Sequence, residues 1–146
     1  AGGVVPSIIF ALKRLKVANI MLSNRTKSKA KDIKNFYETS QNDEYKISVI
    51  DWGELPDFDI VINATSIGLK SEEKLDLDFS KVGNEKFFYD VIYNPKETHF
   101  LKTGKTLGNK TENGKNMFIY QAAEAFKIWH NIEPEINEDV KQLIDQ

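Results

Sequence analysis

Short apolar runs of three or four residues alternate along this chain with longer stretches in which apolar residues return every three or four positions. That alternation predicts strands and helices in turn. Ile8, Ile9, Ala11, Leu12 and Leu15 make one helical face, with Lys13, Arg14 and Lys16 opposite and Pro6 suited to the first turn. Ile20, Met21 and Leu22 have the length and flanks of a buried parallel strand, read as Ile20 to Ser23. Ala30, Ile33, Phe36 and Tyr37 then fall at helical spacing behind Thr26, a suitable N-cap, and the helix is expected to reach Ser40 before a turn at Gln41 to Glu44. Further strands are predicted at Tyr45 to Ile50, Ile60 to Ile62 and Phe87 to Tyr93, with a loop at Asp51 to Asp57 and a charged loop at residues 70–86 anchored by Leu75, Leu77, Phe79 and Val82. After the Asn94-Pro95 turn, the pattern predicts a helix from Thr98 to Leu107 ended by Gly108, and Gly104 inside it costs about 1 kcal/mol relative to Ala. Lys110 to Glu112 is a candidate edge strand and Asn113-Gly114 a turn. A long helix from Met117 to Trp129 presents Phe118, Ala122, Ala125, Phe126 and Trp129, and a last one follows Asn137 with Val140, Leu143 and Ile144.

Strands alternating with helices imply an α/β sheet, in which ligands sit at the carboxyl ends of the strands. At the first such end, Arg25, Lys27, Lys29 and Lys31 gather at a helix N-terminus with no acid before Asp32. The helix dipole and unpaired N–H groups already favour an anion there, so an external anion would relieve the repulsion; a solvated basic helix start is the plain alternative. Ala1-Gly2-Gly3 reads as the tail of a glycine-rich phosphate turn, and Gly3 lies 21 positions before Asn24, close to the ~20 that separate that turn from the ribose-reading position of a dinucleotide fold. An acid at that position would bind the ribose 2′-OH of NAD, whereas Arg25 makes room for the 2′-phosphate of NADP. Only Arg14 and Arg25 of the 20 basic residues are arginine, so one of two planar forks stands at this position. The expected fold is therefore Rossmann-like: a doubly wound, mostly parallel sheet with flanking helices and C-terminal helices, with residues 1–146 as one NADP-binding domain. A hydrophobic strand normally precedes the glycine turn, so the chain is expected to be a piece of a longer polypeptide whose first strand is absent.

Composition narrows the classes. At 146 residues the chain is the size of one domain, and its net charge of −2 gives no reason to expect nucleic acid or an anionic membrane. The absence of Cys excludes disulfides, thiol catalysis and thiolate metal sites, and His99 and His130 are too far apart for a local metal motif, so no metal site is expected. The apolar stretch Val4 to Leu12 is broken by Pro6 and Ser7 and is too short to span a bilayer, which leaves a cytoplasmic location as the default.

With these residues in hand, the chain resembles the C-terminal NADP-binding domain of shikimate dehydrogenase. The match runs in order through Ala1-Gly2-Gly3, Asn24-Arg25-Thr26, Asn63-Ala64-Thr65-Ser66, Asp90-Val91-Ile92-Tyr93-Asn94-Pro95 with Thr98, Asn113-Gly114, Met117, and Gln121-Ala122-Ala123-Glu124-Ala125-Phe126. The resemblance implies reversible NADPH-dependent reduction of 3-dehydroshikimate to shikimate, in the route to aromatic amino acids. It implies that Ala1, Gly2 and Gly3 turn under the pyrophosphate, and that Asn24, Arg25, Thr26 and Lys29 hold the adenosine ribose and its 2′-phosphate. Ala64, Thr65 and Ser66 would line the cofactor path, Val91, Gly114 and Met117 the nicotinamide end. Tyr93 and Gln121 would reach the substrate with a phenol and an amide. Apart from the resemblance, Gln121 is also what a solvent-facing helix position carries, and Tyr93 what packs a strand end.

Two departures bear on this. Where the family has a Gly-Leu-Gly-Met run, this chain has Gly114-Lys115-Asn116-Met117, so close backbone approach is less secured at Asn116. The family's catalytic Lys and Asp belong to an N-terminal domain outside this chain, and nothing in the spacing of Lys96 and Asp90 makes them an acid/base pair. No catalytic residue is therefore assigned, and the chain alone is expected to bind cofactor without turnover. The alternatives are a stand-alone NADP-binding regulatory module, a quinate-using relative, or a glutamyl-tRNA reductase-like protein that shares the Asn-Arg-Thr element; Tyr93 and the Gln121 helix favour the shikimate reading over the last.

Overall fold

A computed structural model describes residues 2–38 and 45–144. The chain divides into two compact units, Ala1–Asp57 with Asp76–Lys81, and Phe58–Leu75 with Val82–Gln146.

The first unit is a helix followed by a strand-helix-strand. Pro6 stands in the first turn of α1 (Val5–Arg14), where its missing N–H costs nothing. Strand β1 (Asn19–Leu22) pairs in parallel with β2 (Lys46–Val49), Ile20 opposite Ile47 and Leu22 opposite Val49, and α2 (Lys27–Glu38) connects them. Val5, Ile9, Ile20, Ala30 and Ile47 are buried. The Tyr37 hydroxyl donates to the Pro6 carbonyl at 2.8 Å and the Lys13 ammonium lies 5.8 Å from the Tyr37 ring centre and 4.4 Å from that of Tyr45, so α1 meets both the end of α2 and the approach to β2. Leu15, expected on the packed face of α1, is instead its C-cap residue and 74% exposed. The expected turn at Gln41 to Glu44 and the end of the helix beyond Glu38 lie outside the described residues.

The second unit holds a three-stranded, all-parallel sheet in the order β3 (Ile60–Asn63), β4 (Phe87–Asp90), β5 (Lys110–Glu112). The expected edge strand is thus present, and it pairs with β4. Helix α3 (His99–Thr106) begins at Thr98, whose hydroxyl accepts the Leu101 N–H at 3.3 Å, and ends at Gly108 with φ +78°, the left-handed geometry glycine tolerates. The core centres on Phe88, which is fully buried and meets the rings of Phe58 and Phe100 at 5.8 and 5.2 Å; Ile92, Leu101 and Ile119 are buried as well. Gly104 is explained by the same ring: a Cβ there would lie 2.6 Å from Phe88 Cγ. What reads as a helix penalty is the condition for seating a phenylalanine against the helix backbone.

Helix α4 (Lys115–His130) differs from its expected packing. The only buried residue among those of α4 is Ile119, whereas Phe126 and Trp129 of the expected face are 41% and 77% exposed. Helix α5 (Glu138–Leu143) is capped by Asn137 as expected, its side chain accepting the Val140 N–H at 3.1 Å, but buries none of its residues. Helical periodicity identifies an apolar stripe without naming what it faces.

Candidate functional site

In the first unit the expected cofactor residues stand at two chain turns. Gly2 and Gly3 are exposed, and the Gly2 carbonyl accepts the Val5 N–H at 3.1 Å as α1 begins. A Cβ on Gly3 would meet nothing within 4 Å, so the packing of this unit does not itself require glycine there. Ala1 lies outside the described residues. Asn24, half-buried, donates from Nδ2 to the Thr26 carbonyl at 2.8 Å and shapes the turn between β1 and α2. Thr26 immediately precedes α2, and Arg25, Thr26 and Lys29 are exposed.

The basic cluster is not uniform. Lys27 binds the carboxylate of Asp51, just beyond β2, and this hydrogen bond with its accompanying charge holds the ammonium pKa above its ordinary value. Asp51 is itself fixed, its N–H bonded to Glu54 at 2.7 Å and its carbonyl accepting the Ser23 hydroxyl at 3.1 Å. Among the described residues no acid lies within ion-pair distance of Arg25 or Lys29. An anion at the start of α2 therefore has two cations to meet, with Lys27 held to a carboxylate beside them. Asp51 is a residue that sequence reasoning missed, because parallel pairing of β1 with β2 is what brings their carboxyl ends together.

In the second unit the expected residues follow the ends of β3 and β4. Ala64 and Thr65 are half-buried and Ser66 is exposed. Asn63 and Asp90 are the last residues of adjacent strands and register partners, and both side chains are buried. Asn63 Nδ2 donates to Asp90 Oδ1 at 3.1 Å and to the Ile67 carbonyl at 3.0 Å; its Oδ1 accepts from Thr65 N and Thr65 Oγ1 at 3.1 and 2.8 Å. Asp90 also accepts the Ile92 N–H at 3.0 Å and the Thr98 hydroxyl at 2.6 Å. Burial pushes the Asp90 carboxyl pKa up, against these three hydrogen bonds, which favour its ionised form.

Val91 and Gly114, expected together at one end of the cofactor, are in contact. The Gly114 N–H donates to the Ile92 carbonyl at 3.1 Å, and a Cβ on Gly114 would overlap the Val91 carbonyl oxygen and lie 2.5 Å from its carbon. Only glycine lets the start of α4 approach this backbone so closely. Asn113 secures the same junction by donating to the Lys96 carbonyl at 2.8 Å and accepting the Lys115 N–H at 3.1 Å. Tyr93, half-buried, stacks on Phe118 of α4 with ring centres 4.5 Å apart. Met117 is half-buried, and Gln121 is exposed one turn beyond Phe118 on the same stripe of α4. The expected residues 64–66, 91 and 93 thus follow the ends of β3 and β4, and Gly114 brings the start of α4, which carries Met117 and Gln121, against Val91.

Residues 114–144 match the family described as Shikimate 5'-dehydrogenase C-terminal domain. The chain is 52% identical over 145 residues to a shikimate dehydrogenase (NADP(+)) of Pelagibacter ubique, a match covering 99% of this chain and 52% of that protein. Its fold superposes on the ligand-free 5-ketofructose reductase of a Gluconobacter strain with a TM-score of 0.84 at 31% identity, covering 99% of this chain and 53% of that one. A shikimate dehydrogenase solved in complex with NADP+ gives a TM-score of 0.77 at 38% identity, covering 99% and 51%. The chain spans about half the length of the curated relatives it matches. Over nearly all its length, in sequence and in its Rossmann-like fold, this chain is a homologue of the NADP-dependent shikimate dehydrogenases, matching about half of each and carrying their C-terminal domain signature.

Proposed function

We propose that this chain is the NADP(H)-binding half of a cytoplasmic shikimate dehydrogenase, which interconverts 3-dehydroshikimate and shikimate in aromatic amino acid biosynthesis. An N-terminal domain would supply proton transfer and most of the substrate pocket. The observation that carries the reading is Arg25: an exposed guanidinium at the β1–α2 turn, without an acidic partner among the described residues, where a dinucleotide fold reads the adenosine ribose. Gly2 and Gly3 would carry the pyrophosphate, with Ala1 before them, and Asn24, Thr26 and Lys29 would complete the ribose and 2′-phosphate contacts. Ala64, Thr65, Ser66, Val91, Gly114 and Met117 would hold the nicotinamide half. NADPH supplies the hydride. Tyr93 and Gln121 would hydrogen-bond substrate oxygens and aim the carbonyl carbon. A stand-alone regulatory module is disfavoured, because the curated relatives are named as enzymes.

The test is a titration of the folded chain with NADPH and NADH side by side. A preference for NADPH is expected, and Arg25→Ala should weaken NADPH by about ten- to a hundredfold while leaving NADH unchanged, the loss of a charge-assisted contact of roughly 1.5–3 kcal/mol. Lys27→Ala should move the ratio less, since Asp51 already holds that ammonium. Equal affinity for the two cofactors, or an unchanged ratio in Arg25→Ala, would refute the 2′-phosphate site. Shikimate oxidation by this chain alone would refute the assignment of proton transfer to another domain.

A further inference from the structure

The side-chain network at the ends of β3 and β4 has a property that simple core filling does not require. Asp90 is fully buried, and its carboxylate ties together three chain segments: Asn63 Nδ2 at the end of β3, the Ile92 N–H just beyond β4, and the Thr98 hydroxyl at the cap of α3. Through Asn63 it reaches the Ile67 carbonyl and both donors of Thr65, and the Thr65 hydroxyl in turn accepts the Ile67 N–H at 3.0 Å. Through Thr98 it reaches the first turn of α3. The peptide groups flanking Val91 are both bound, the Val91 N–H to the Asn63 carbonyl and the Ile92 N–H to Asp90. Resting on the cofactor reading above, we propose that Asp90, with Asn63 and Thr98, is a positioning residue: it locks the loops after β3 and β4 to each other so that Thr65 and Val91 are preorganised for the nicotinamide end of the cofactor.

The chemistry explains why a carboxylate stands here. All three partners donate, so an amide at position 90 would turn an NH2 toward one of them and leave a buried donor without an acceptor. A positioning role also differs from general stability in where its loss is felt. Substitution should weaken contacts made by loops 64–68 and 91–93 and spare those made by Arg25, which belongs to the other compact unit.

Two ligands separate these ends: NADPH, and 2′,5′-ADP, which carries the adenosine and its 2′-phosphate but no nicotinamide. Asp90→Asn and Thr98→Val are expected to lower NADPH affinity about tenfold and to leave 2′,5′-ADP affinity within twofold of the parent, while Thr98→Ser, which keeps the hydroxyl, restores NADPH binding. If both variants keep parental NADPH affinity, or lose NADPH and 2′,5′-ADP in equal proportion, the positioning role is overturned and the network is structural only. If Asp90→Asn does not fold, the Thr98→Val and Thr98→Ser pair decides by the same criteria. A parent chain that binds neither ligand overturns the cofactor reading and this inference with it; a parent that binds 2′,5′-ADP with an NADPH affinity indifferent to Thr98 overturns only the inference.

Discussion

Replacing Gly114 with Ala tests the junction on which the nicotinamide end of the proposed site depends. The added Cβ would overlap the Val91 carbonyl oxygen and lie 2.5 Å from the carbonyl carbon, whereas carbons pack at about 3.5–4.0 Å. The obstacle is backbone held by the neighbouring strand, so no side chain can swing aside, and the start of α4 must retreat by about an ångström. That retreat would break the Gly114 N–H to Ile92 carbonyl bond, now 3.1 Å and already near the long end of its range. Overpacking costs about 1–3 kcal/mol and the lost hydrogen bond about 0.5–1.5. The lower chain entropy of unfolded Ala returns about 0.4–1, which its poorer N-cap character offsets. A net loss of about 2–4 kcal/mol is expected, a fall in melting temperature of roughly 4–16 °C. Denaturant unfolding would show it as a lower midpoint at unchanged slope. The control is Gly3→Ala, where a Cβ meets nothing within 4 Å: it should leave the midpoint unchanged yet weaken NADPH binding if the pyrophosphate approaches that backbone. A Gly114→Ala chain with the parent's unfolding midpoint would refute the close approach of α4 to Val91.

Two further outcomes follow from the core of the second unit. Gly104→Ala should destabilise by about 1–2 kcal/mol although Ala is the better helix former, because the fully buried Phe88 ring occupies the place of the new methyl; a raised unfolding midpoint would contradict that packing. Burial raises the folded-state pKa of Asp90 above its unfolded value, so the native state binds its proton more readily, and this residue's contribution to stability grows as pH falls from the raised pKa to the ordinary carboxylate range and is lost as pH rises back through it. The stability difference between the parent and Asp90→Asn should therefore shift in the parent's favour on acidification through that window, and a difference independent of pH there would contradict the raised pKa.

Much of the fold was legible because its signals are local. Thr98, Gly108 and Asn137 mark helix ends through their own backbone and side-chain geometry, and the short apolar runs at Ile20, Ile60 and Phe87 mark strands wherever they pair. The chain's own pattern likewise determined the alternation of strand and helix and the basic turn at Arg25, whereas Val91 and Gly114 were grouped only by the resemblance to a family. Tertiary structure alone decided the rest. Lys27 was one more member of the basic cluster until parallel pairing of β1 and β2 delivered Asp51 to it. Gly104 looked like a flaw until Phe88 arrived from a strand, and the apolar stripe of α4 carried no record of how little of it this chain would cover. Asn63 and Asp90 stood in matched motifs without a role of their own until register set them opposite each other. A periodic pattern reports which residues share a face, whereas partners and burial depend on contacts between segments far apart in the chain, and those exist only once the strands have chosen their neighbours.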